Sequence, residues 1–199
     1  LDMETSLLNS RILFLKNNLN DFKYNVIFSP DLDYHQSDDI DIVFFNVRAK
    51  DVIKKLVLIG HKIEGDSFII NTPHDSFRLD FYINCVNCGY YKIINLSFKD
   101  KIFIDISDYC VIQLLEPLIK FSEYKKRHIG RLKYFKDQGL LDNQRIIKKL
   151  KFIVGFYFTV VLSQNKRTVF SGVFIKFLKL RLLFANGNLL RMFKSRFLS

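Results

Sequence analysis

Residues 37–45 read SDDIDIVFF, and this short run constrains the chain more than any other. In an extended segment successive side chains alternate between two faces. Asp39 and Asp41 therefore share one face and Ile40 and Ile42 the other, which faces a core. The run fixes a strand that is wet on one side and dry on the other where it begins. Two carboxylates on one face repel each other, and a buried carboxylate without a partner is costly. Either they sit at a solvated strand start, or something positive holds them together.

The surrounding pattern supplies the rest of a small sheet. Leu8, Ile12, Leu15 and Leu19 recur at helical spacing and predict a first helix over about 4–19. Tyr24–Phe28 reads as a short strand closed by Ser29-Pro30, followed by the polar loop SPDLDYHQSD. After the strand DIDIVFF, a helix over 49–59 carries Val52, Ile53, Leu56 and Val57, with Gly60 as its stop. HKIEGDSFII predicts two strands around Gly65-Asp66, and SFRLDFYIN a third. That third strand places Phe77, Leu79, Phe81 and Ile83 on one face and Arg78, Asp80 and Tyr82 on the other. KIINLSF reads as a further strand. From Ser107, the expected N-cap, only helices follow. One is expected to carry the stripe Ile146, Leu150, Ile153, Tyr157 and Val160. Another holds Phe170, Val173, Phe174 and Phe177, with Lys176, Lys179 and Arg181 opposite. The expected class is α+β: a small mixed sheet with flanking helices over residues 1–107, then a basic all-helical region over 108–199. With 49% hydrophobic residues, 21 of them Phe among 199, the chain can bury a core of that size.

Charge divides the chain at nearly the same place. Residues 1–110 hold 12 Lys/Arg against 16 Asp/Glu, and residues 111–199 hold 19 against 4. No acid follows Asp142. A net charge of −4 in one part and +15 in the other implies two different surfaces, the basic one suited to phosphates, nucleic acid or anionic lipid, or simply to solvent. No run of about 18 apolar residues occurs, so no spanning helix is expected, while contact with a membrane surface through the basic tail stays open. LDMETSLLNS lacks the apolar stretch of a secretory leader. Cys85, Cys88 and Cys110 are too few and scattered for a disulfide framework, and a CxxC without a second pair makes no zinc site. Together these lead us to expect a reducing, cytoplasmic compartment.

Asp80 has the same setting as Asp41, a carboxylate between apolar neighbours on the polar face of a strand. If the two strands are neighbours, Asp39, Asp41 and Asp80 converge, and a divalent cation relieves their repulsion. An all-oxygen donor set favours Mg²⁺ or Mn²⁺, with substrate phosphates completing the shell. The plainer alternative is that Asp39 lies at a solvated strand start, Asp41 pairs with a lysine and Asp80 pairs with Arg78.

SDDIDIVF, followed about forty residues later by RLDFYI across a helix and a hairpin, resembles the nucleotidyltransferase superfamily typified by DNA polymerase beta. The resemblance covers roughly residues 5–110. It implies Asp39 and Asp41 as paired metal ligands, and Asp80 as the third ligand and the group that draws the proton from an attacking hydroxyl. It also implies transfer of a nucleoside monophosphate from a nucleoside triphosphate to a hydroxyl of a small molecule, sugar or protein. Where that family has a Gly-Gly or Gly-Ser turn, this chain reads Phe28-Ser29-Pro30-Asp31, which leaves Ser29 and Ser37 as the candidates for phosphate contact. Arg78, Lys125 and Lys126 are the candidate cations for the triphosphate. The whole chain, with its basic tail, is also similar to nucleotidyltransferase-like regions upstream of thymidylate-kinase-like domains in bacterial surface-polysaccharide gene clusters, although it has no GxxxxGK[ST] of its own. Two alternatives of another class stand beside this: a catalytically inactive binding module of the same fold, and a nucleic-acid binder using the basic helices with interleaved aromatics.

Overall fold

A computed structural model describes residues 3–27, 39–63, 67–73, 75–88, 91–164 and 172–185. Among these, the protein is a mixed α+β chain of two compact units.

The first unit contains helices α1 (Met3–Asn18) and α2 (Ala49–Ile59). Its strands are β1 (Lys23–Val26), β2 (Asp39–Phe45), β3 (Gly60–Lys62), β4 (Ser67–Asn71) and β5 (Ser76–Ile83). The sheet order is β1-β2-β5-β4-β3; β2 and β5 run parallel, and the other pairs are antiparallel. A parallel pair needs a crossover. Here α2 and the β3–β4 hairpin supply it, which makes two strands far apart in sequence immediate neighbours. Leu8, Ile12, Leu15 and Leu19 are buried, as are Val52 and Leu56 of α2. Ile40, Ile42 and Phe44 of β2 and Phe77, Leu79 and Phe81 of β5 belong to the same core, so both helices cover one face of the sheet.

The opposite face is closed only along part of β2. Segment 96–104 returns to the β1 edge, where the N–H of Val26 donates to the Ile102 carbonyl at 2.7 Å and that of Ile104 to the Val26 carbonyl at 3.1 Å. The fully buried Asn25 amide donates to the Lys99 carbonyl at 2.9 Å and accepts from the Lys99 N–H at 3.1 Å. Phe98 of this segment meets Phe45 edge to face, and Val43 and Phe45 are buried. Asp39, at the other end of the same strand, is exposed, and Asp41 is half-buried.

The second unit contains strands β6 (Cys85–Cys88) and β7 (Tyr91–Asn95), and helices α3 (Ile106–Phe121), α4 (Lys126–Asp137), α5 (Gln144–Val154), α6 (Phe156–Gln164) and α7 (Gly172–Ala185). The expected strand KIINLSF is β7. It pairs with CVNC in a separate two-stranded sheet rather than joining the main one. Nearly all of α3 is buried, which makes it the axis of this unit. Three expectations need correction. The helix expected to set Val173 and Phe177 opposite its cations is α7, which instead buries Ile175, Leu178 and Leu182 and leaves Val173 and Phe177 exposed; Phe170 lies outside the described residues. Asp105, not Ser107, holds the N-cap position of α3; the Ser107 hydroxyl instead meets Lys149 Nζ at 3.2 Å, and that ammonium also pairs with Asp108. The stripe through residues 146–160 does not lie on one helix. Gly155, at φ +86°, separates α5 from α6 in a conformation that residues with a Cβ rarely adopt, and Tyr157 is left exposed.

Candidate functional site

Parallel pairing of β2 with β5 sets Asp41 directly opposite Asp80 and Asp39 opposite Arg78. In-register residues point to the same face of a sheet. The alternate residues Ile40, Ile42, Leu79 and Phe81 are all buried on the helix side. Asp39, Asp41, Arg78 and Asp80 therefore share the opposite face, where Asp39 is exposed and Asp41 half-buried.

Asp80 is tied down on that face. Arg78 lies two residues away on the same side of β5 and forks onto it, Nε donating to Oδ1 at 3.1 Å and Nη2 to Oδ2 at 3.3 Å. Ser67, in register with Asp80 from β4, donates its hydroxyl to the same Oδ1 and accepts from Arg78 Nη2 at 3.0 Å. The hydrogen bond and charge of Asp80, helped by Asp39 and Asp41, hold the Arg78 proton more tightly than in a free guanidinium. The Arg78 guanidinium thus binds Asp80 and feels the charge of Asp39 and Asp41 as well. For Asp80, the plainer of the two sequence readings, a pair with Arg78, is what the structure contains.

Among the described residues no group of three His, Cys, Asp or Glu side chains stands ready to hold a metal ion. What the face does present is three carboxylates, two of them in register on adjacent strands, with the Arg78 guanidinium among them.

The remaining candidates fall elsewhere. Ser29 and Ser37, like Asp31 and Asp33, lie outside the described residues. Lys125 and Lys126 belong to the second unit, where Lys125 is the N-cap residue of α4 and Lys126 its first residue. The Lys125 ammonium sits 3.8 Å from the centre of the Phe121 ring, and its backbone N–H donates to His128 Nδ1 at 3.0 Å. Ser67 is the residue that sequence reasoning missed. Its signal was present in the hairpin, because pairing back from Ser76 across to Asn71 brings Ser67 opposite Asp80.

Comparison with protein-family models, with curated proteins and with solved structures finds no match. No described helix is long and apolar enough to cross a membrane.

Proposed function

We propose that the open face of β2 and β5 is a Mg²⁺-dependent nucleotidyl-transfer site, taking a nucleoside triphosphate and passing its nucleoside monophosphate to a hydroxyl acceptor. The observation that carries this reading is the register: Asp41 opposite Asp80, with Asp39 two residues along the same face. Asp39, Asp41 and Asp80 would hold the ion, which when bound supplies the Lewis acidity that neutralises charge on the transferring phosphate. Asp80 is the base for the acceptor hydroxyl, a carboxylate held in place on a central strand whose oxygens are freed for that proton when Arg78 turns away. Arg78 moves from Asp80 to phosphate oxygens, where its planar fork fits equally well.

The fork of Arg78 on Asp80 favours a second reading, in which the guanidinium permanently replaces the ion and the face binds without turning over. Thermal melts of the parent and Asp41→Asn with millimolar Mg²⁺ and each common nucleoside triphosphate separate the two. A ligand at ten times its Kd adds roughly 1.4 kcal/mol. A Mg²⁺-dependent rise in Tm for the parent alone supports the transfer site. Stabilisation by nucleotide that ignores Mg²⁺ supports the binding module. A parent indifferent to every nucleotide overturns both.

A further inference from the structure

Helix α7 is apolar on two opposite sides. Ile175, Leu178 and Leu182 are buried in the second unit. Val173, Phe177, Leu180 and Phe184 recur at helical spacing on the other side and are exposed, Phe177 by 58% and Phe184 by 61%. Lys176 borders this outer stripe on one flank and Arg181 on the other. The surface continues onto the neighbouring helices. Phe174 meets Phe158 of α6 with ring centres 5.1 Å apart. Arg181 lies against the α5–α6 junction, its Nε 3.7 Å from where a Cβ on Gly155 would stand. At that junction Phe152, 83% exposed, and Phe156 project outward, with the Lys151 ammonium 5.1 Å from the centre of the Phe156 ring.

An apolar stripe of this extent is normally covered. The charge around it narrows what covers it. Among the described residues from 143 onward there are seven Lys/Arg and no acid. A second copy docking through the same face would set cation against cation. Bases of a nucleic acid would stack on Phe177 and Phe184 but find nothing to stack on at Val173 and Leu180. A bilayer of anionic lipid satisfies both parts: its acyl region accepts aliphatic and aromatic side chains alike, and its headgroups take the flanking cations.

We propose that the outer face of α7, with the α5–α6 junction beside it, docks the protein onto an anionic membrane surface without spanning it. This stands apart from the transfer reading, since no residue is shared.

Flotation of the full chain with phosphatidylcholine vesicles, with and without phosphatidylglycerol, tests it. The parent should float with the phosphatidylglycerol vesicles at low salt, release as salt rises, and stay behind with phosphatidylcholine alone. Phe177→Glu should lower partitioning at least about tenfold, and Lys176→Gln about fivefold. Both positions are exposed, so unchanged melting curves show that the fold is intact. A parent that ignores phosphatidylglycerol, or a Phe177→Glu that floats like the parent, overturns the proposal. So does a parent dimer that Phe177→Glu splits, or a single-stranded oligonucleotide whose binding needs Phe177 and strips the protein from vesicles.

Discussion

Replacing Arg78 with Gln tests how much its guanidinium contributes to keeping Asp80 beside Asp41 and Asp39. Two contributions are lost. The first is the forked pair with Asp80, whose partners are 46% and 28% exposed. Solvent screens it, and even a well-aligned exposed pair is worth at most about 1 kcal/mol. The second is the repulsion the guanidinium now offsets. Asp41 and Asp80 are in register on adjacent strands, about 5 Å apart, and two like charges at that distance cost about 1 kcal/mol near water. The variant should therefore lose about 2 kcal/mol in chelator-treated buffer, a fall in Tm of roughly 4–8 °C for a chain of this size. Circular-dichroism melts in EDTA and in millimolar Mg²⁺ read both contributions. Mg²⁺ should restore at least half of the loss in the variant and move the parent less. Adding Asp41→Asn to Arg78→Gln should recover stability in EDTA, because it removes one of the repelling charges. A variant that melts with the parent in EDTA, or equal Mg²⁺ shifts for both proteins, refutes the reasoning.

Two further outcomes follow from groups away from that face. The Arg11 guanidinium, 4% exposed, sits 2.5 Å from Asp75, and its hydrogen bond holds the Asp75 carboxyl below the usual carboxylate range. The stability from this lowered acid is present above the unfolded value of about 3.9 and is lost as pH falls through the folded value. Asp75→Asn should cost about 2 kcal/mol at neutral pH, and its gap to the parent should narrow in melts below about pH 4. Burial pushes the Tyr24 hydroxyl up to about 12, and that hydroxyl has no hydrogen-bond partner among the described residues. Tyr24→Phe keeps the ring beside Phe44 and should gain about 1 kcal/mol in denaturant melts; a loss would point to a partner for the hydroxyl.

What the sequence made legible was whatever a local period encodes. Alternation fixed β2 and β5 and put Asp39, Asp41 and Asp80 on polar faces. Helical spacing found the buried stripe of α1. Strand order is not a local property, so the in-register meeting of Asp41 with Asp80 was a condition in the sequence and a fact only in the fold. Ser67 escaped notice because a lone serine at a strand start is ordinary until its cross-strand neighbour is known. Gly155 was hidden inside a continuous apolar pattern that one positive φ angle broke. The double face of α7 was misleading for a related reason: Val173 and Phe177 read as the apolar face with Lys176, Lys179 and Arg181 opposite, but a second apolar set, Ile175, Leu178 and Leu182, is the one its neighbours cover.

Segment 96–104 has a consequence for how this protein can be divided or inherited. The chain leaves the first unit after Asn84, gives β6 and β7 to the second, returns at Leu96 to finish the β1 edge, and leaves again after Ile104. The units are therefore laced, not strung. A single genetic crossover at either exit removes a piece of one unit or carries away a piece of the other. If the second unit unravels, the return segment is left at the end of a floppy loop, and the entropy of closing that loop falls on the Asn25 amide and two backbone hydrogen bonds. No single cut in the chain therefore parts the acid face from the basic helices without leaving one unit incomplete.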